Sequence, residues 1–141
     1  MMRYSEETLF VLAISLYAES DESGKKRNVV SGNGGFSCAY FHGLREGRRF
    51  QEFRIRCEER LSAHAAQFDE FMRDVAYVLD GEYCDSEKEL VLDDFQVKAL
   101  MALRNSADGM VSPFDSEFPP VNAEVRKGSD RPYLLFYKGD I

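Results

Sequence analysis

The chain has 141 residues, of which 44% are hydrophobic and 30% are charged, and its formal net charge at pH 7 is −7. This length suits one domain with one core, and the hydrophobic content is too high for a disordered chain. Acidic residues outnumber basic ones 25 to 18. This balance argues against nonspecific nucleic-acid binding, which requires a cationic surface. We expect a single globular domain over residues 1–141.

The sequence predicts a cytoplasmic protein without a membrane segment. Its longest apolar run, Leu9 to Ile14, is far shorter than the roughly 20 residues that a membrane-spanning helix needs, and no basic segment precedes a signal core. Cys38, Cys57 and Cys84 are odd in number and follow no regular spacing. This pattern argues against a disulfide framework and favours a reducing compartment.

Charge is unevenly distributed along the chain. Residues 25–60 carry nine Lys/Arg and four Asp/Glu, whereas residues 61–120 carry four Lys/Arg and thirteen Asp/Glu. Such an asymmetry creates an extended field that attracts complementary surfaces, so it bears on partners more than on the fold.

The first predicted element is a helix over about residues 6–19. Ser5 can cap it, and Glu6 and Glu7 suit its positive end. The stretch 9–17 is apolar nearly all round, so a buried strand is the alternative. We predict an exposed loop over 21–27, and then a hairpin in which 28–30 and 36–41 flank the glycine-rich turn 31–35.

The central part of the chain has helical periodicity. No Gly or Pro occurs from Arg48 to Asp80, and apolar residues recur there at steps of three or four. The members of this stripe are Phe50, Phe53, Cys57, Leu61, Ala65, Phe68, Met72, Val75 and Leu79. The pattern predicts one long helix, or a pair of helices broken near Ser62.

Another helix, a loop and a strand are predicted to complete the chain. The helix begins either after a capping box at Ser86 or at Asp93, behind a short strand over 90–92. Residues 108–120 mix prolines with acids and aromatics and predict an irregular loop, and a strand follows over 133–138. The predicted class is α+β: a mostly helical single domain with a long central helix or helix pair, a small β-hairpin and a C-terminal strand.

Two surfaces are candidate binding sites. The first is an arginine face on the central helix, directed away from its apolar stripe, because guanidinium groups bind carboxylates and phosphates through paired donors. Its members are Arg45, Arg48, Arg49, Arg56 and Arg60. The alternative is a solvated helix face, on which Glu52 forms ordinary ion pairs with neighbouring arginines.

The second candidate is the acidic, aromatic loop. Its phenylalanines would anchor an interface and its acids would steer a basic partner. The residues concerned are Asp108, Phe114, Asp115, Glu117 and Phe118. In the alternative, the two phenylalanines pack back onto the core.

We expect no metal, no cofactor and no identifiable catalytic residues. Cys38, His42, Cys57 and His64 have donor chemistry for zinc, but their spacing matches no usual ligand pattern, and Cys57 and His64 fall on the apolar side of the predicted helix. The Gly32–Gly35 turn lacks the surroundings of a phosphate loop. No serine or cysteine carries the local signature of an activated nucleophile.

The favoured hypothesis is a small acidic protein that binds another macromolecule, most simply a protein, stoichiometrically through charged surfaces. Inhibitors of this profile include immunity proteins and phage anti-defence proteins, by analogy alone. A nucleic-acid-binding partner stays open, because an acidic surface can occupy a basic groove, and so does a homodimer. The alternative is an enzyme or ligand-binding domain that uses the Gly32–Gly35 turn, nearby arginines and His42 or His64.

Overall fold

The computed structural model describes residues 2–20, 23, 26–28, 49–61, 64–81, 89–118 and 134–139. They form the predicted α+β fold, in which helices dominate. The described elements are, in chain order, α1 (Glu6–Leu16), β1 (Ala18–Ser20), β2 (Lys26–Asn28), α2 (Phe50–Leu61), α3 (Ala65–Leu79), α4 (Asp94–Ser106), β3 (Gly109–Val111) and β4 (Leu135–Tyr137). None of the described helices is both long and apolar enough to cross a bilayer.

Helix α1 is the central element. The Ser5 side chain accepts the backbone N–H of Thr8 at 3.1 Å, which confirms the predicted cap. The segment is the predicted helix, and the alternative of a buried strand is wrong. Its apolar run is buried almost completely from Phe10 to Ile14. The helix ends at Leu16 instead of at residue 19, because the backbone becomes extended at Tyr17 and continues into β1.

The central periodic stretch forms two helices, which is the second of the two predicted alternatives. Helix α2 ends at Leu61 and α3 begins at Ala65, and the predicted stripe residues Phe53, Cys57 and Phe68 are buried. Ala65 is exposed, contrary to the prediction. Helix α3 also buries Phe71 and Val78, which the predicted stripe did not include; at about 100° per residue both lie within about 20° of the direction of Phe53, so the buried face is wider than predicted.

Helix α4 begins at the later of the two predicted positions. The Asp93 carboxylate accepts the N–H of Gln96 at 2.7 Å, and the Gln96 side chain accepts the N–H of Asp93 at 3.0 Å, which completes a capping box. The predicted strand over 90–92 does not form. The other proposed cap, Ser86, lies outside the described residues.

The predicted C-terminal strand is present as β4, and its partner was not predicted. Strand β3 pairs with β4 antiparallel, with Met110 opposite Phe136, and it lies within the stretch 108–120 that was expected to be irregular throughout. On its other side, Met110 donates its N–H to the carbonyl of Arg3 at 3.0 Å. The Tyr137 ring covers Gly109 so closely that a Cβ there would lie 2.2 Å from the tyrosine oxygen.

A hairpin also forms earlier than predicted. Strands β1 and β2 pair antiparallel, with Glu19 opposite Arg27, so the end of the predicted loop 21–27 is a strand. The predicted hairpin around the Gly32–Gly35 turn lies outside the described residues, apart from Asn28.

Truncation of Phe68 should show how much the fold depends on its aromatic core. The Phe68 ring packs edge-on against Phe10 and Tyr17, at centroid distances of 5.5 and 5.3 Å. We expect Phe68→Ala to lower the free energy of unfolding by about 3–5 kcal/mol, measured by urea denaturation. Phe95→Ala is the matched control: this phenylalanine is exposed, so its loss should change stability by less than about 0.5 kcal/mol. Equal effects would contradict the packing.

Candidate functional site

The described part of the predicted arginine face consists of ion pairs along a helix surface. Arg49 and Arg56 lie 3.4 and 3.6 Å from the two carboxylate oxygens of Glu52, and all three side chains are exposed. Exposed pairs of this kind contribute roughly 0.2–1 kcal/mol. The solvated-face alternative therefore describes these two arginines. Arg60 is also exposed, whereas Arg45 and Arg48 lie outside the described residues.

The phenylalanines of the predicted acidic loop pack against the core. Phe118 is only 2% exposed, and the Phe114 ring lies 5.1 Å from that of Phe50 and 5.4 Å from that of Phe53. The alternative prediction, that both phenylalanines pack back onto the core, is therefore correct. Neither ring is exposed as an anchor for a partner. Glu117 remains exposed.

The acids of this loop hold backbone and hydroxyl groups in place. The Asp115 carboxylate accepts the Ser5 hydroxyl at 2.6 Å, the Thr8 hydroxyl, and the backbone N–H of Ser112 at 2.9 Å. Thr8 and Ser112 are completely buried, so these contacts satisfy groups that water does not reach. The negative charge also lies beside the positive end of α1. Asp108 accepts the N–H of Gly139 at 2.5 Å.

The four candidate metal ligands are not brought together within the described residues. Cys57 is buried, and burial raises the pKa of its thiol to about 12. His64 is exposed, with Nδ1 2.8 Å from Oε1 of Gln67, so its predicted place on the apolar side is wrong. His64 is the N-cap of α3 and lies outside the helix whose periodicity placed it on the apolar side. Cys38, His42 and the Gly32–Gly35 turn lie outside the described residues, and the described part of the chain holds no group of three metal-ligating side chains.

The structure instead draws attention to the start of α4. Four large apolar side chains are exposed among the described residues, namely Ile55, Val91, Phe95 and Phe136. Phe95 is 81% exposed and Val91 is 50% exposed, and only these two lie within four positions of each other. Exposed aromatic side chains are enriched at protein interfaces.

Two hydrogen-bonded clamps hold this segment in place. Asp74, 3% exposed in α3, accepts the backbone N–H of Val91 at 2.9 Å. Gln96 accepts the N–H of Asp93, and its amide donates to the carbonyl of Leu16 at 3.3 Å, which ties the start of α4 to the end of α1. The apolar side chains therefore project from a fixed backbone, which lowers the entropy that binding would cost.

A cleft adjoins the clamped segment. It has a volume of about 590 Å³ and lies between the end of α1, the middle of α3 and the start of α4. The buried rings of Tyr17 and Phe71 form its apolar part, and the exposed carboxylates of Glu70 and Asp93 lie at its polar part. Gln67 and Gln96 complete the polar lining, and no described residue that lines it is basic.

The surroundings of the cleft are acidic. Residues 64–81 and 89–106 together carry seven Asp/Glu and three Lys/Arg. One of the three cations, Arg104, donates to the carbonyl of Val78 at 3.1 Å. We call Glu70, Val91, Asp93, Asp94 and Phe95 the Phe95 face. It combines two exposed apolar side chains with three exposed carboxylates.

Sequence reasoning missed the Phe95 face, although one signal for it was present. Once α4 is taken to begin at Asp94, the residues that face the core are Val97, Leu100 and Met101, at steps of three and four. Phe95 then lies about 140° from Leu100 around the helix, outside that stripe. An aromatic residue at that angle is predicted to be exposed. The cleft could not have been predicted, because three separate elements form it.

Comparisons with protein-family models, curated proteins and solved structures found no match for this chain.

Removal of the Asp74 carboxylate should release the clamped segment. We expect Asp74→Ala to lower the free energy of unfolding by about 1.5–3 kcal/mol, because a buried hydrogen bond to a charged group is lost. The Val91 amide should also exchange its hydrogen faster, which NMR can follow residue by residue. Asp69→Ala, at an exposed position of the same helix, is the control and should alter neither quantity. Unchanged exchange at Val91 in Asp74→Ala would contradict the clamp.

Stability should decline in alkaline solution. Burial raises the pKa of Cys57 from 9.0 to about 12, and burial together with a hydrogen bond to Asp80 raises that of Tyr4 above its ordinary value. The folded state keeps protons that the unfolded state releases, so the contribution of Cys57 is full below pH 9 and is lost between about pH 9 and 12. Urea denaturation should show a shallower decline over that range in Cys57→Ala. An unchanged slope would contradict the pKa shift.

Proposed function

We propose that this chain is a stoichiometric protein-binding protein that blocks or adapts its partner through the Phe95 face. The observation that carries the proposal is the 81% exposure of Phe95 on a helix start whose backbone is fixed by a capping box. Phe95 adds no packing to the core at that exposure. Burying such a ring at an interface contributes roughly 1.5–3 kcal/mol.

The partner surface should be basic. Glu70 and Asp93 line the cleft beside Val91, Asp94 directly precedes Phe95, and residues 64–81 and 89–106 carry seven Asp/Glu and three Lys/Arg. Complementary charge increases the rate of association and disfavours acidic partners. These properties suit an inhibitor of the immunity or anti-defence type that acts in the cytoplasm. The same field would let the chain occupy a groove that normally holds an anionic ligand.

Capture from a native lysate of the source organism tests the proposal. The tagged protein should retain one partner at about equal molar amount, identified by mass spectrometry, and less of it at high salt. Phe95→Ser should reduce the retained amount to background with an unchanged circular dichroism spectrum, because the side chain is exposed.

The control is a triple variant, Arg49→Glu, Arg56→Glu and Arg60→Glu, which leaves the Phe95 face intact. It should retain the partner. If this variant loses the partner and Phe95→Ser keeps it, the contact lies on the arginine face predicted from sequence. If neither the native chain nor any variant retains a stoichiometric partner, the proposal fails.

A further inference from the structure

We infer that the cleft beside the Phe95 face receives an arginine side chain of the partner. This inference rests on the proposed function, and it names the chemical group that the partner inserts. The cleft has two kinds of surface, one apolar and one acidic. The rings of Tyr17 and Phe71 lie at 5.2 Å between centroids and meet edge to face, so they offer a fixed apolar wall. Glu70 and Asp93 offer negative charge beside it.

Arginine matches both surfaces at once. Its guanidinium group is planar and weakly hydrated, stacks on aromatic rings, and binds carboxylates through paired donors. Its three-carbon stem can lie along apolar surface while the charged end meets an acid. Lysine offers a point charge that is more strongly hydrated, and it lacks the planar group. Arginine is also enriched among the residues that dominate binding energy at interfaces.

Other occupants fit the lining less well. An anionic group would meet Glu70 and Asp93 with no basic residue among the described lining residues to compensate it. A purely apolar side chain would remove water from these carboxylates and from the side-chain amides of Gln67 and Gln96 without replacing their hydrogen bonds. The lining thus favours a group that carries positive charge on an apolar stem.

The polar lining is already oriented. Asp93 is held by the Gln96 N–H, which occupies Oδ1, and Gln96 itself is bonded to Asp93 and Leu16. Glu70 is exposed on α3, one turn of helix from the Asp74 clamp. An incoming guanidinium group would therefore find both the wall and the Asp93 carboxylate in place before it binds.

The test titrates the complete chain with capped tripeptides while NMR follows backbone amides. The probe is acetyl-Ala-Arg-Ala-amide, and the comparison peptides carry lysine, the neutral isostere citrulline, or leucine at the centre. We expect the arginine peptide to shift the amides of Ala18, Glu70, Phe71 and Gln96 and to bind more tightly than the other three. Equal shifts with citrulline or leucine, or no shift with arginine, would overturn the inference, and equal binding of lysine would overturn its choice of arginine.

Two single variants locate the effect. Glu70→Gln keeps the side-chain shape and removes one carboxylate, so arginine binding should weaken about fivefold, which corresponds to roughly 1 kcal/mol for an exposed ion pair. Asp69→Asn removes the neighbouring charge outside the cleft lining and should alter affinity much less. Equal weakening by the two variants would mean that the probe responds to overall charge, and would overturn the site.

The test separates this inference from the proposed function. If lysate capture depends on Phe95 while the arginine peptide does not bind, the protein-binding function stands and the arginine site fails. If the peptide binds while capture is independent of Phe95, the arginine site stands and the proposed function of the Phe95 face fails. Nuclear Overhauser contacts from the Phe71 ring to residues 29–48, 82–88 or 119–133 would show that the chain fills its own cleft, which would also overturn the inference.

Discussion

The packing of Phe10 is the contact on which the arrangement of the helices depends. Its ring meets Phe50, Phe53 and Phe68 edge to face, at centroid distances of 5.6, 5.8 and 5.5 Å. One side chain of α1 thereby fixes both members of the helix pair. Two turns later, Tyr17 meets Phe68 and Phe71 in the same way. The aromatic contacts follow α1 from Phe10 to Tyr17 and continue into the wall of the cleft, so the core supports the proposed binding surface.

Polar contacts anchor both ends of this central helix. At its start, Asp115 collects the hydroxyls of Ser5 and Thr8 and so brings the loop after β3 against α1. At its end, the carbonyl of Leu16 accepts the Gln96 amide and so positions the start of α4. Helix ends leave backbone groups without intrahelical partners, and here the partner of Leu16 comes from a distant helix. The hydrogen bonds of Asp115 and Gln96 at the two ends of α1 therefore also join α1 to distant parts of the chain.

Local patterns were sufficient to predict most of the helices. The Ser5 cap, the helix pair broken near Ser62 and the burial of Phe53 and Phe68 all follow from spacing within a few turns. Strand β3 could not be predicted, because its three residues, which begin with Gly109 and end two positions before Pro113, are too few for a pattern, and their partners are residue 3 and residues 135–137. The inward packing of Phe114 and Phe118 is likewise fixed by distant residues.

The same distinction applies to the candidate site. The direction of a side chain around a helix depends only on nearby residues. The exposure of Phe95 could therefore be predicted from the sequence, provided that the helix cap was assigned to Asp93 and not to Ser86. The buried position of Asp74 could not be predicted, because an acidic residue in a helix is ordinarily solvent-exposed, and the N–H that its carboxylate accepts belongs to Val91, 17 positions away. The cleft requires α1, α3 and α4 together, which no local pattern specifies.

The position of Phe95 is better suited to the proposed binding role than to a role in folding. A phenylalanine in an exposed first turn contributes little to the core, whereas an acidic residue there would favour the positive end of the helix, as Asp94 does. Exposed apolar side chains also promote nonspecific association, and the surrounding carboxylates oppose it by keeping like molecules apart. In the proposed function, burial of the ring would contribute binding free energy, and the charges would favour basic partners.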